Sequence, residues 1–341
     1  MASDVEAPPA SCKVVLAGTV ARGLLAEVQE GRKTLDKPPH LVGFLANSDP
    51  AARMYANWTG RTCEENGFRY SLREVSRDDI EDAILAANTD PDVDGIIVYY
   101  PIFNNRQDQY VQQLVDISKD VEGLSHRYIF NMYRNIRFLD PKPAGACKQK
   151  SILPCTPLAV IKILEYLQIY NTILPYGNRL FGHTIAVVNR SEVVGRPLAA
   201  LLANDGACVY SIDITGVEKF TRGEGIKKRR HEVDDMPGWT MKDALPHCDV
   251  VITGVPGDKF KLDTKLLRPG AVCINFSSEK NFGPEVKEKA SIYVPAIGKV
   301  TNVVLLRNLL RLVQNRRMDD VHPADATEKP GTLEGTNTPS G

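Results

Sequence analysis

The chain contains no apolar run approaching the roughly 18 residues that cross a bilayer, so no membrane-spanning helix and no membrane partner are expected. It carries no excess charge either, because 42 Lys and Arg balance 42 Asp and Glu. Without a basic face to meet phosphate, nucleic acid is not an expected partner. The one dense basic run, Lys227-Lys228-Arg229-Arg230, is soon followed by acidic residues and reads as a solvated loop. Cysteine is present but never as C-x-x-C: Cys12, Cys63, Cys147, Cys155, Cys208, Cys248 and Cys273 read as reduced thiols packed as small hydrophobes. Histidine forms no H-x-x-H or H-E-x-x-H group, so no metal site is expected. The opening MASDVEAPPASCK lacks a charged start followed by an apolar core, and it is acidic. Neither a secretory nor a mitochondrial leader is expected, and a cytosolic location is the expectation.

What is present is ordinary globular material: 341 residues, 43% hydrophobic and 25% charged. A single core is near its limit at this length, so two lobes are expected. Short apolar runs alternate with helical patterns. Strands are predicted over 13–18, 40–47, 68–75, 95–101, 184–189, 208–213, 249–255, 271–276 and 291–296. Helices are predicted over 19–30, 50–66, 78–88 and 106–117. Near-continuous apolar strands alternating with helices predict parallel α/β layering. Segment 139–155 is rich in Pro, Gly and Lys and reads as a connector. After it, Thr156 is expected to cap a helix that has Pro157 at its first position. Residues 215–240 read as a polar, irregular surface insertion, and 301–316 as an amphipathic helix. The expected division is a first lobe over 1–150, completed by helix 301–316, and a second over 151–300. Residues 317–341 hold almost no apolar material and are expected to be disordered.

The most informative stretch is TIAVVNRSEVVGRPLAALLANDGACVYSID. A strand leads into the turn Arg190-Ser191-Glu192, then a helix beginning near Val193, then a second strand ending at Asp213. Such a βαβ unit places a phosphate at a helix N-terminus. Arg190 and Ser191 suit pyrophosphate or ribose oxygens, although Ser191 could equally be a helix cap. A carboxylate at Asp213, with Ile214 beside it, can accept both hydroxyls of an adenosine ribose and repels a 2′-phosphate, which points to NAD rather than NADP. G-x-G-x-x-G is absent, and only Gly195 could serve as its last glycine. A generic α/β crossover therefore stays open at this point. Two later strands end at Thr253-Gly254 and at Asn275-Phe276-Ser277-Ser278, where the nicotinamide half of a dinucleotide would lie.

Seven segments in order then carry a resemblance. They are Tyr55 with Thr59, DGIIVYYP (94–101), KDVEG (119–123), PCTP (154–157), NRSEVVGRP (189–197), RPGAVCINF (268–276) and VPAIGKVT (294–301). Over about residues 10–316 the chain resembles the methylenetetrahydrofolate dehydrogenase/cyclohydrolase family, most of all its fungal, monofunctional, NAD-dependent, cytosolic and homodimeric members. The resemblance implies a two-lobed α/β fold with a folate lobe and a Rossmann-like NAD-binding lobe. It implies tetrahydrofolate derivatives as substrates and NAD as cofactor. It marks Asp120 as the residue bonding the pterin ring and Tyr55 as packing against folate.

The departures from the family pattern concern the second activity. Bifunctional members carry Y-x-x-x-K on the second helix, and here Thr59 stands in the lysine's place. Tyr99 stands at the glutamine position of the family's V-Q-L-P. Hydride loss from a methylene carbon between two nitrogens is driven by nitrogen lone pairs and needs no proton transfer. Hydrolysis of the methenyl product needs an activated water, which an uncharged hydroxyl at position 59 serves poorly. The implied activity is dehydrogenation without cyclohydrolase. A retained second activity and a catalytically silent NAD-binding regulator are the alternatives. Cys155, at the lobe junction, invites a nucleophile reading, but hydride transfer needs none, and a structural role is expected.

Overall fold

The computed structural model describes residues 12–139 and 149–321. The first part runs β1 (Lys13–Val14), α1 (Ala17–Lys33), β2 (His40–Leu45), α2 (Pro50–Glu65), β3 (Arg69–Glu74), α3 (Ile80–Thr89), β4 (Gly95–Val98), α4 (Gln107–Leu114) and α5 (His126–Tyr133). The second runs α6 (Cys155–Tyr166), β5 (Thr184–Val188), α7 (Gly195–Asn204), β6 (Cys208–Asp213), β7 (Gly216–Thr221), β8 (Glu232–Asp235), α8 (Met241–Ala244), β9 (Val250–Thr253), β10 (Val272–Asn275), α9 (Val286–Lys289), β11 (Ile292–Val294) and α10 (Gly298–Val321).

Two sheets result. A small parallel sheet has the order β3-β2-β4, and β2, in its middle, is buried along its whole length. The large sheet has the order β1-β11-β10-β9-β5-β6-β7-β8, parallel as far as β6 and antiparallel after it. Strands β9 and β10 are wholly buried and β5 nearly so, as expected of strands covered by helices on both faces. Strand order reverses about β5, with β6 on one side and β9 on the other, so a ligand crevice opens outside their carboxyl ends.

Helix α10 lies against α1, α6 and α2, so it packs on helices from both parts of the chain. Its buried side chains join one continuous apolar core with those of α1, α2, α6 and α7. No helix among the described residues is long and apolar enough to cross a membrane.

Several expectations need correction. Residues 215–240 are not irregular throughout: β7 and β8 within them extend the large sheet, because a hairpin can add antiparallel strands at an edge. Strand β1 pairs with β11, so the chain begins on the large sheet before building the small one. Helix α6 starts two residues earlier than expected, with Pro154 in the cap position and Thr156 inside the first turn. Helix α7 begins at Gly195 rather than near Val193. Helix α5 was not anticipated at all. Helix α10 continues to Val321, and the remainder of the tail lies outside the described residues.

Candidate active site between the two sheets

A cleft of about 200 Å³ opens where the two sheets face each other. Tyr55 of α2, Glu122 and Cys155 line it from one side, Val193 and Phe276 from the other, and Thr301 of α10 closes it. Residues expected to serve substrate and cofactor therefore share one space.

On the substrate side, α2 starts cleanly because Asp49 caps it, accepting from the Ala51 N–H at 2.9 Å, with Pro50 at the first helical position. This sets Tyr55 and Thr59 one turn apart on the inward face. Thr59 is buried and its hydroxyl donates to the Tyr55 carbonyl at 3.0 Å. The Tyr99 ring meets Tyr55 edge-on, with centroids 5.7 Å apart. The Tyr99 and Tyr70 hydroxyls share a hydrogen bond of 2.9 Å. Burial drives the Tyr99 phenol far above its ordinary pKa, so it stays protonated. Tyr70, which no sequence signal marked, thus completes a cluster of phenols and a hydroxyl where the bifunctional pattern has a lysine and a glutamine.

Asp120 is placed differently from its expected role. One carboxylate oxygen accepts from the Glu122 and Gly123 N–H groups at 3.1 and 2.9 Å, and the other from the Ser125 N–H at 2.7 Å. It folds the loop into α5 and does not line the cleft. The carboxyl that lines the cleft is Glu122, two residues further along the same KDVEG segment. Burial, and then the neighbouring Asp120 charge, push Glu122 up to about 8. Beside it, the Tyr100 hydroxyl is buried without a partner among the described residues.

Cys155 opens α6 with its thiol donating to the Val121 carbonyl at 3.3 Å. Burial, followed by the Glu122 and Asp120 charges, raises its pKa well above the ordinary thiol value. It is a packed thiol and not a thiolate nucleophile. Asn308 of α10, missed in the sequence, secures this corner by donating to the Val121 and Leu153 carbonyls at 2.9 and 3.0 Å.

On the nucleotide side the turn after β5 is organised from within. Asn189 donates to the Gly254 carbonyl at 2.8 Å, bridging the ends of β5 and β9, and accepts from the Ser191 N–H at 2.8 Å. Ser191 lies in the turn ahead of α7, whose cap position is Val194, and its hydroxyl accepts from the Val194 and Gly195 N–H groups at 3.3 Å. A Cβ at Gly195 would sit 2.0 Å from the Asn189 carbonyl oxygen, so only glycine lets α7 approach this turn. The same holds at Gly254, where a Cβ would meet the Phe276 ring at 1.8 Å. Thr253 and Asn275 are buried at their strand ends. Asn275 holds three carbonyls, of Ser277, Glu279 and Pro295, at 3.1, 2.9 and 3.0 Å. Ser277 donates to the Val255 carbonyl at 3.0 Å, and Ser278 is exposed. These residues shape the crevice more than they offer groups to it.

Arg190 departs most from expectation. Its guanidinium donates to the Ser211 and Gly216 carbonyls at 2.7 and 2.8 Å and to the Thr215 hydroxyl at 3.0 Å. It also pairs with Glu218 at 3.1 Å, so it points into the β6–β7 hairpin and away from any phosphate. Asp213 does stand at the end of β6. Its two oxygens accept the Arg190 and Ile214 N–H groups at 2.9 and 2.7 Å, which leaves further lone pairs on both. Ile214 is fully exposed beside it.

NAD fits this set. Asp213 has acceptor capacity for two ribose hydroxyls, the Glu192 and Val193 N–H groups have no acceptor among the described residues, and the crevice lies at the strand reversal.

Comparison with known proteins follows the same division. The tetrahydrofolate dehydrogenase/cyclohydrolase catalytic domain matches residues 15–122, and that family's NAD(P)-binding domain matches residues 154–225. Methylenetetrahydrofolate dehydrogenase (NAD(+)) of Schizosaccharomyces pombe is 59% identical over 306 residues, covering 89% of this chain and 94% of that one. The Saccharomyces cerevisiae protein of the same name is 56% identical over 313 residues, covering 89% and 96%. The structure of the NAD-dependent 5,10-methylenetetrahydrofolate dehydrogenase from Saccharomyces cerevisiae superposes with a TM-score of 0.86 at 52% identity, over 92% of this chain and 100% of that one. With both domains matched in order and identity sustained along the chain, this protein belongs to the tetrahydrofolate dehydrogenase/cyclohydrolase family.

Proposed function

We propose that this protein oxidises 5,10-methylenetetrahydrofolate to the 5,10-methenyl form with NAD, and that it does not hydrolyse the product. The observation that carries the reading is the shared cleft, which sets Tyr55 and Glu122 opposite Phe276, while Thr59 and Tyr99, at the lysine and glutamine positions, are each already hydrogen-bonded within the protein.

NAD, when bound, supplies the hydride acceptor. The chain's own residues align and exclude. Asp213 would hold the ribose hydroxyls and would disfavour a 2′-phosphate, while the Glu192 and Val193 N–H groups would be available to the pyrophosphate. Phe276, lodged against Gly254, walls the crevice. Across it the Tyr55 ring, braced edge-on by Tyr99, gives the flat substrate a surface to lie on. Glu122 presents a carboxyl to the donor-rich edge of the pterin ring, the role the resemblance placed on Asp120. A cationic centre grows on the substrate carbon as hydride leaves, and the low-dielectric cleft fixes the dipoles around it. No side chain has to take a proton in that step.

Hydrolysis is another matter. Thr59 is bonded to its own helix and the Tyr99 hydroxyl to Tyr70, so neither delivers a charge to a water molecule. Residues 1–150 with helix 301–316 serve the substrate, and 151–300 the cofactor. Cytosolic, homodimeric operation completes the proposal, on the strength of the resemblance alone. A spectrophotometric assay with methylenetetrahydrofolate and either NAD or NADP tests it. Turnover with NAD and little with NADP is expected, and equal use of both would overturn the reading of Asp213.

A further inference from the structure

A second and larger cavity, of about 360 Å³, lies behind the active-site corner, between α6, α10 and the segments around Arg137, Lys150 and Arg179. Six cationic side chains line it against two carboxylates. Both carboxylates are engaged: Glu165 with Lys162 at 2.7 Å, and Asp205 with Arg137 at 2.8 Å and the Tyr170 hydroxyl at 3.0 Å. Of the other four cations, Arg179 lies over the Tyr176 ring at 5.4 Å, and Lys150, Arg307 and Arg311 have no carboxylate partner among the described residues.

These three converge. Arg307 and Arg311 are one turn apart on α10, a like-charge spacing that destabilises a helix. Lys150 is held below the ordinary ammonium value by Arg311 first, then by burial and Arg307. Arg311 is likewise lowered, by burial and then by Arg307. Mutual repulsion in a half-buried wall is costly unless something negative sits among the charges. Paired guanidinium forks match phosphate oxygens bidentately, and Leu158, Ile161 and Tyr176 give the remainder of a ligand an apolar seat.

We propose that this cavity binds a small polyanion bearing two or more phosphate groups. The site is separate from the active-site cleft. Asn308 stands between them, its amide donating to the Val121 and Leu153 carbonyls on the cleft side.

Inorganic pyrophosphate is the probe. Thermal unfolding of the full chain is followed as pyrophosphate is added at constant ionic strength, with NAD saturating so that the dinucleotide crevice is filled. The expected result is a saturable rise in Tm for the wild type. The double variant Arg307→Gln/Arg311→Gln should unfold at or above the wild-type temperature without pyrophosphate, because repulsion is relieved. Its half-saturating pyrophosphate concentration should rise at least about tenfold. Lys150→Gln, a change at an exposed residue, should weaken saturation in the same direction and serves if the double variant does not fold. The absence of a saturable rise in the wild type would overturn the proposal. So would an equal rise in the variants, since the anion would then act elsewhere.

Discussion

Arg190 and Glu218 form an ion pair of 3.1 Å in which the arginine side chain is only 9% exposed. Glu218 also receives Arg196 at 3.2 Å. An arginine beside the ribose carboxylate is the usual means of accepting a 2′-phosphate. Here the carboxylate of Asp213 is kept and the arginine is neutralised and turned away.

Glu218→Gln should therefore loosen cofactor choice. The guanidinium loses its counter-charge while keeping its carbonyl partners, so it stays turned into the hairpin and kcat/KM with NADP should rise by only roughly a few-fold. Adding Asp213→Ser should take the gain to about tenfold or more, because the repelling carboxylate is then gone. Initial rates with both dinucleotides check this.

Glu122 gives a pH prediction. Its carboxyl is held neutral in the fold up to about 8, whereas in the unfolded chain it ionises near the ordinary value of 4.5. Between those values the native state binds the extra proton, so this group makes stability fall as pH rises. Glu122→Gln removes that slope. The Tm of the variant minus that of the wild type should grow from pH 5 to pH 8 and level off above, in paired thermal scans.

Asn308→Ala should lower stability by about 1–3 kcal/mol, because the part-buried Leu153 carbonyl loses this donor and the buried Val121 carbonyl keeps only the Cys155 thiol. Denaturant titration measures this. The same variant should raise KM for the folate, since those carbonyls frame the corner that holds Glu122 and Cys155.

Much of this was legible in the sequence, and the reasons are physical. The runs IAVV and VVI are unbroken apolar stretches because helices cover both faces of the sheet there. Tyr55 and Thr59 share a helix face by spacing alone. Asp120 and Glu122 could not be told apart: both are carboxylates in one short loop, and three backbone N–H groups decide which of them turns inward. The direction of Arg190 was illegible because its partner Glu218 lies in a strand that reads as irregular surface. Tyr70 stayed hidden because a tyrosine in a half-exposed strand carries no mark of what its hydroxyl meets. The cavity cations were illegible too, since Lys150 and Arg311 are brought together only by folding.

The central claim is hydride transfer to NAD without hydrolysis of what it makes. It is tested most directly by the decay of methenyltetrahydrofolate absorbance with and without the protein, where spontaneous hydrolysis is slow. The wild type should form NADH and methenyl product from methylenetetrahydrofolate, yet leave the decay of added methenyl compound unchanged. Thr59→Lys alone should leave it unchanged as well, because Tyr99 remains bonded to Tyr70 and gives the lysine no partner. A saturable, protein-dependent acceleration in the wild type would contradict the account, and would assign the activation of water to this same cluster.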